Sequence, residues 1–181
     1  SQIAPEEVAE FIRRDTPGFM ALLADPADCL ERGKLSFEEF HSLLSGKLGL
    51  DITVQEFRDM WCDIFWPNHD VIRIGRTLAQ RYNVHLMSNT SEAHYDWIIR
   101  RFPEVIFYRK AALSYQLRCM KPEPEYYSKA LALFDSDPSG ALFIDDLQEN
   151  LDGAAFFGIR TIRFEGSENL INRLKEHGVT L

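Results

Sequence analysis

Over residues 1 to about 68, apolar positions recur every three or four residues, the spacing of one helical face. Pro5-Glu6-Glu7 opens a helix expected at 5–14, with Val8, Phe11 and Ile12 on one side. Pro17-Gly18 interrupts the pattern. A short helix from Phe19 is expected to break at Pro26, and Gly33 to end the next turn. Ser36 with Glu39, and Thr53 with Glu56, have capping-box spacing. They precede the apolar sets Phe40, Leu43, Leu44 and Phe57, Met60, Trp61, Ile64, Phe65. From about Asn68 the pattern alternates. Helices are expected at 71–82, 91–101, 123–134, 147–157 and 168–177. Strands are expected at 84–87, 105–107, 111–114, 141–144 and 159–164. Such alternation implies an α/β fold, a parallel sheet covered on both faces. The two patterns divide the chain into a helical subdomain, 1–68, and an α/β core, 69–181.

The chain's 181 residues suffice for one domain with a small subdomain. A net charge of −8 argues against binding along a nucleic-acid backbone. The basic pairs Arg13-Arg14 and Arg100-Arg101 end helical patterns, where they suit the helix dipole. Cys29, Cys62 and Cys119 are widely spaced and odd in number, which suggests reduced thiols and a cytoplasmic setting rather than a disulfide framework or zinc site. No apolar run is long enough to span a membrane, and no signal-peptide pattern is visible. The aromatic set Trp61, Phe65, Trp66 suits either core packing or a substrate entrance.

Polar residues at strand ends carry the candidate chemistry. Ala141-Leu142-Phe143-Ile144 runs straight into Asp145-Asp146. Carboxylates leaving a core need a partner, and two readings fit: a hard cation such as Mg²⁺, or a turn with an N-cap. Ser88-Asn89-Thr90 ends the 84–87 strand ahead of a helix, as an anion site or as a cap. Lys121 precedes Pro122 at the mouth of another helix, where an ammonium can neutralise phosphate or simply lie on the surface.

Taken together, Ser88-Asn89-Thr90, Lys121-Pro122-Glu123-Pro124-Glu125-Tyr126-Tyr127 and Phe143-Ile144-Asp145-Asp146 resemble the second, third and fourth motifs of the haloacid dehalogenase-like (HAD) hydrolases. Asn150, Ala154-Ala155 and Gly158 match the run after the fourth motif. The similarity is to the small-molecule phosphatase branch, including the N-terminal domain of soluble epoxide hydrolase. It extends through the helical part, with Gly33-Lys34-Leu35-Ser36 and Phe37-Glu38-Glu39-Phe40 resembling that branch's cap. The resemblance implies a Rossmann-like core, a helical cap and Mg²⁺. It also implies a small phosphate ester as substrate and an aspartyl-phosphate intermediate. Ser88 and Asn89 would bind the phosphoryl group. Lys121 would steady its charge, Asp145 and Asp146 would hold the metal, and Asn150 would support them.

Two departures stand out. The family's first motif, a central strand ending in Asp-x-Asp before the cap, is not found. Asp135-Ser136-Asp137 has that spacing, but it ends a helical pattern and precedes Pro138-Ser139-Gly140. Without a central strand, the strands ending at Ser88 and Asp145 would share no neighbour. The sequence is therefore expected to be part of a longer protein, with on the order of 15–35 further residues. Relatives also usually carry Gly where Arg118 stands. A non-catalytic HAD-like binding domain and a metal-free 2-haloacid dehalogenase are the alternatives to a phosphatase. The paired aspartates argue against the dehalogenase.

Overall fold

The computed structural model describes residues 16–49 and 51–181; the helix expected at 5–14 lies outside them. Four helices come first: α1 (Thr16–Glu31), α2 (Phe37–Leu48), α3 (Val54–Cys62) and α4 (His69–Leu78). Both capping boxes form. Glu39 N–H donates to Ser36 Oγ at 3.1 Å while Ser36 N–H donates to Glu39 Oε2 at 2.8 Å. Thr53 and Glu56 repeat the exchange. Each box satisfies two N–H groups that a helix start leaves without partners.

One helical expectation fails. The chain does not break at Pro17-Gly18 or Pro26; α1 runs continuously through all three. Pro near a helix start sacrifices no bond. Pro26 does remove one, but it is buried, and α1 packs on α2 along a face that also buries Leu30. Packing here outweighs local propensity. Helix α3 also stops at Cys62, short of Ile64 and Phe65.

The α/β part follows as β1 (Leu86–Ser88), α5 (Glu92–Arg101), β2 (Ala111–Leu113), α6 (Ser114–Leu117), α7 (Pro124–Phe134), β3 (Leu142–Asp145), α8 (Gln148–Phe156), β4 (Arg160–Arg163) and α9 (Ser167–Glu176). β1 pairs in parallel with β2, Leu86 opposite Ala111 and Ser88 opposite Leu113. β3 pairs in parallel with β4, Leu142 opposite Arg160 and Asp145 opposite Arg163. Among the described residues β1 bonds only β2, and β3 only β4. The strand expected at 105–107 is absent. Pro103–Val105 makes a 3-10 turn instead, Ile106 is exposed, and the Phe107 ring lies against Gly75, where even a Cβ would come within 2.3 Å of it. A helix contact, not a ladder, uses this apolar run.

Three packed clusters result. Phe37, Phe40, Leu44, Phe57 and Cys62 form the helical one, closed by Ala93 of α5. Tyr126, Tyr127, Phe143, Leu151 and Ala154 join α7, β3 and α8. Ile74, Ile162, Leu170 and Leu174 join α4, β4 and α9. The aromatic set divides: Trp61 packs edge-on to Phe40, Phe65 packs against His94, and Trp66 is 83% exposed. Cys29, Cys62 and Cys119 are unpaired. Among the described residues, no helix is long and apolar enough to cross a membrane.

Candidate active site

Lys121 is the meeting point of the two strand ends. It lies between α6 and α7 on a loop fixed from both sides. After it, Tyr126 donates to Ala112 O in β2 and Tyr127 donates to Asn150 O in α8, each at 2.7 Å. Both rings are fully buried, so α7 is bolted to both strand pairs. On the other side the Asn89 side chain closes a ring with the Lys121 backbone. Asn89 Nδ2 donates to Lys121 O, and Lys121 N–H donates to Asn89 Oδ1, both at 2.9 Å. An amide satisfies one donor and one acceptor at once, as a strand neighbour would.

The Lys121 ammonium then reaches Asp145. Nζ donates to Asp145 Oδ2 at 2.6 Å and lies 5.5 Å from the centre of the Phe143 ring. The side chains are 9% and 6% exposed. Asp145 Oδ1 accepts from Leu147 N–H and from Asn150 Nδ2, each at 2.9 Å. Burial pushes the Asp145 carboxyl up, but the ammonium and these two donors outweigh it and hold the group below its usual range. The contribution to stability therefore has a definite sign. In chelator it is complete above the ordinary aspartate value, about 3.9, and is lost as pH falls through the lower folded value. Replacing Lys121 and Asp145 together by uncharged residues should flatten the Tm profile in that acid window. An unchanged slope would refute the assignment.

Ser88 ends β1 with its hydroxyl nearly free: the nearest acceptor, Asn89 O, is 3.5 Å away. Asp146 is exposed beside buried Asp145. Asn150 is buried, and its Oδ1 has no hydrogen-bond partner among the described residues. The structure thus brings Asn89, Lys121, Asp145 and Asn150 into one bonded set, with Ser88 and Asp146 adjacent in sequence to its ends. The side-chain amide of Asn89, a residue expected at the phosphoryl group, is bonded to the backbone of the lysine loop.

Among the described residues no cluster of three or more His, Cys, Asp or Glu side chains could hold an ion. Asp145 and Asp146 still suit a hard cation that takes one or two carboxylates and fills its shell with water and substrate oxygens. The amide that donates to Asp145 also carries a buried oxygen without a partner among the described residues, a polar acceptor of the kind a bound water satisfies.

Residues with no evident signal in the sequence complete the surroundings. Ser114 is fully buried and is 2.7 Å from Glu31 O, 2.9 Å from Thr90 O, and accepts from Thr90 N–H. It thereby ties the end of α1 to the segment after Ser88. Glu123 Oε2 accepts from Met120 N–H at 3.2 Å, and its Oε1 is 2.6 Å from Arg32 Nη2. Arg118 adopts φ 62°, so the turn ahead of Lys121 has the left-handed form that glycine favours, at a cost of roughly 1 kcal/mol.

No protein-family model matches the chain. Individual proteins do. The chain is 32% identical to the D-ribitol-5-phosphate phosphatase of Bacteroides thetaiotaomicron over 146 residues, 75% of this chain and 69% of that protein. A HAD family enzyme from the same organism, crystallised with magnesium and inorganic phosphate, superposes with a TM-score of 0.69 at 27% identity, covering 75% of this chain and 72% of the other. A predicted HAD-like family hydrolase from Porphyromonas gingivalis gives a TM-score of 0.74 at 26% identity, covering 84% and 78%.

Proposed function

The chain belongs to the HAD family of enzymes, and on that premise we propose that it is a Mg²⁺-dependent phosphatase of a small phosphate monoester. The observation that carries the reading is the buried Lys121–Asp145 pair, whose lysine loop is held by Asn89, the residue that follows Ser88. A cation and a hydroxyl donor at one end of parallel strands suit a phosphoryl group, and the adjoining carboxylates suit its metal.

In this reading residues 1–68 cap a core at 69–181, and the protein works in the cytoplasm. Ser88 Oγ donates to a phosphoryl oxygen. Asn89 holds the Lys121 backbone, and Lys121 Nζ offsets charge on the phosphoryl group as it transfers. Asp145 and Asp146 would hold Mg²⁺, which supplies Lewis-acid and template chemistry when bound. Asn150 keeps Asp145 oriented and ionised.

The reaction also needs an attacking carboxylate, seated in this reading on a strand along the edges of β1 and β3 that bond no other strand among the described residues. Its oxygen bonds phosphorus while the ester P–O bond breaks, and the departing alkoxide takes a proton from a neighbouring acid. Water then cleaves the acyl phosphate, releasing phosphate and restoring the carboxylate. A polyol phosphate is the first substrate to test, given the ribitol-5-phosphate activity in the relative's name.

The test is phosphate release by the full-length protein, nucleophile strand included, from an aryl phosphate and from ribitol 5-phosphate. Turnover should stop in chelator and return with Mg²⁺. Release of chloride from a 2-haloacid in chelator, with no phosphate release, would overturn the reading.

A further inference from the structure

We infer that Arg32 is a positioning residue for Lys121, setting the lysine loop from the end of helix α1. The inference rests on the phosphatase reading for its kinetic consequence but not for its geometry.

Arg32 follows the last residue of α1, and its guanidinium is held before it reaches the loop. Arg32 Nε donates to both carboxylate oxygens of Asp28, at 3.0 and 2.8 Å. This leaves Nη2 for Glu123 Oε1 at 2.6 Å. A planar guanidinium gripped on one edge presents its other donors in a fixed direction, which a lysine could not do. The Arg32 side chain is only 19% exposed. The pairing holds the Glu123 carboxyl below its usual range.

The other Glu123 oxygen accepts from Met120 N–H, and Glu123 N–H donates to Met120 O at 2.8 Å. Lys121 and Pro122 are the residues enclosed by this exchange, and the Lys121 N–H is taken by Asn89. The lysine backbone is therefore set by two side chains. Asn89 comes from the end of β1, and Glu123 is aimed from the end of a helix whose Leu30 packs in the cluster of Phe37, Phe40 and Phe57. Two neighbouring contacts fix the approach of that helix: Ser114 Oγ bonded at Glu31 O, and Gly33 seated against Tyr115 O. A shift of α1 would pass through Arg32 and Glu123 to the ammonium that faces Asp145.

The experiment compares the Mg²⁺-loaded full chain with Arg32→Met, Glu123→Gln, the double variant and Arg32→Lys. Amide hydrogen exchange is read residue by residue, with kcat and KM on an aryl phosphate. Exchange at Met120 and Lys121 should rise about tenfold in either single variant, no further in the double, and not at all in β4. The kcat should fall by a similar factor with a smaller change in KM, and Arg32→Lys should recover only part of it. Unchanged exchange at both amides, additive effects in the double variant, or a uniform rise across the protein would each overturn the inference. If the wild-type full-length protein releases no phosphate, the phosphatase reading falls, while the exchange data still decide the positioning role.

Discussion

Asp145→Asn should lower Mg²⁺-dependent phosphate release by roughly 10²–10³-fold, the loss typical of removing one preorganised charge from a site. Asn keeps an acceptor for Leu147 N–H and nearly the same shape, so the change removes charge rather than volume. It also leaves the Lys121 ammonium, 9% exposed, facing a neutral amide. Breaking a buried pair from one side costs on the order of 3 kcal/mol. Lost activity alone could then reflect lost folding. A second variant separates the two. Adding Lys121→Met removes the stranded charge, so the double variant should regain most of the stability and none of the activity. Urea unfolding beside phosphate release checks both. Near-normal turnover by Asp145→Asn, or activity returning with stability in the double variant, would remove Asp145 from the proposed site.

Gly33→Ala should destabilise the protein by about 2–4 kcal/mol, combining a left-handed backbone penalty with overpacking. Gly33 has φ 62°, and a Cβ there would come within 2.4 Å of Tyr115 O and 2.8 Å of Arg118 Nη1. The guanidinium can swing away, but the backbone oxygen cannot. Arg118→Gly in the same chain should therefore recover only part of the loss, although it also relieves the left-handed strain at position 118. The urea midpoint measures this. A Gly33→Ala protein within about 0.5 kcal/mol of wild type would show that the junction tolerates movement.

The site was more legible than the fold around it. Ser88, Lys121 and Asp145 could be selected from sequence because each is a polar residue where an apolar run stops, and their charges are complementary. Helix starts were legible where the signal is local, as at Ser36 and Thr53. Pro26 and the 105–107 run were misread because their outcome is decided by distant neighbours: α2 in one case, Gly75 in the other. Asn89 was expected beside the phosphoryl group, and its side-chain amide is found on the lysine loop. Spacing shows that an amide lies beside a hydroxyl, but not that it turns toward the backbone of a residue 32 positions away. Arg32 gave no signal, and Glu123, although within the lysine motif, was given no role, since a basic and an acidic residue on separate helix ends look like ordinary surface charge. For Arg118, the glycine preference of relatives pointed to an altered turn, yet the left-handed turn is kept with a side chain in place.

The three tryptophans, Trp61, Trp66 and Trp97, all precede the second strand, and none belongs to the cluster around Phe143. Trp61 stacks on His94 with ring centres 5.7 Å apart, and Trp97 meets Phe65 and Phe102. Indole emission therefore reports on the helical side of the molecule, while the cluster around Phe143, beneath Lys121 and Asp145, holds no indole. Fluorescence and far-ultraviolet circular dichroism consequently watch different parts of the chain as it denatures. Coincident curves would mean that the two sides melt as one cooperative unit, and separated curves that the helical side lets go on its own.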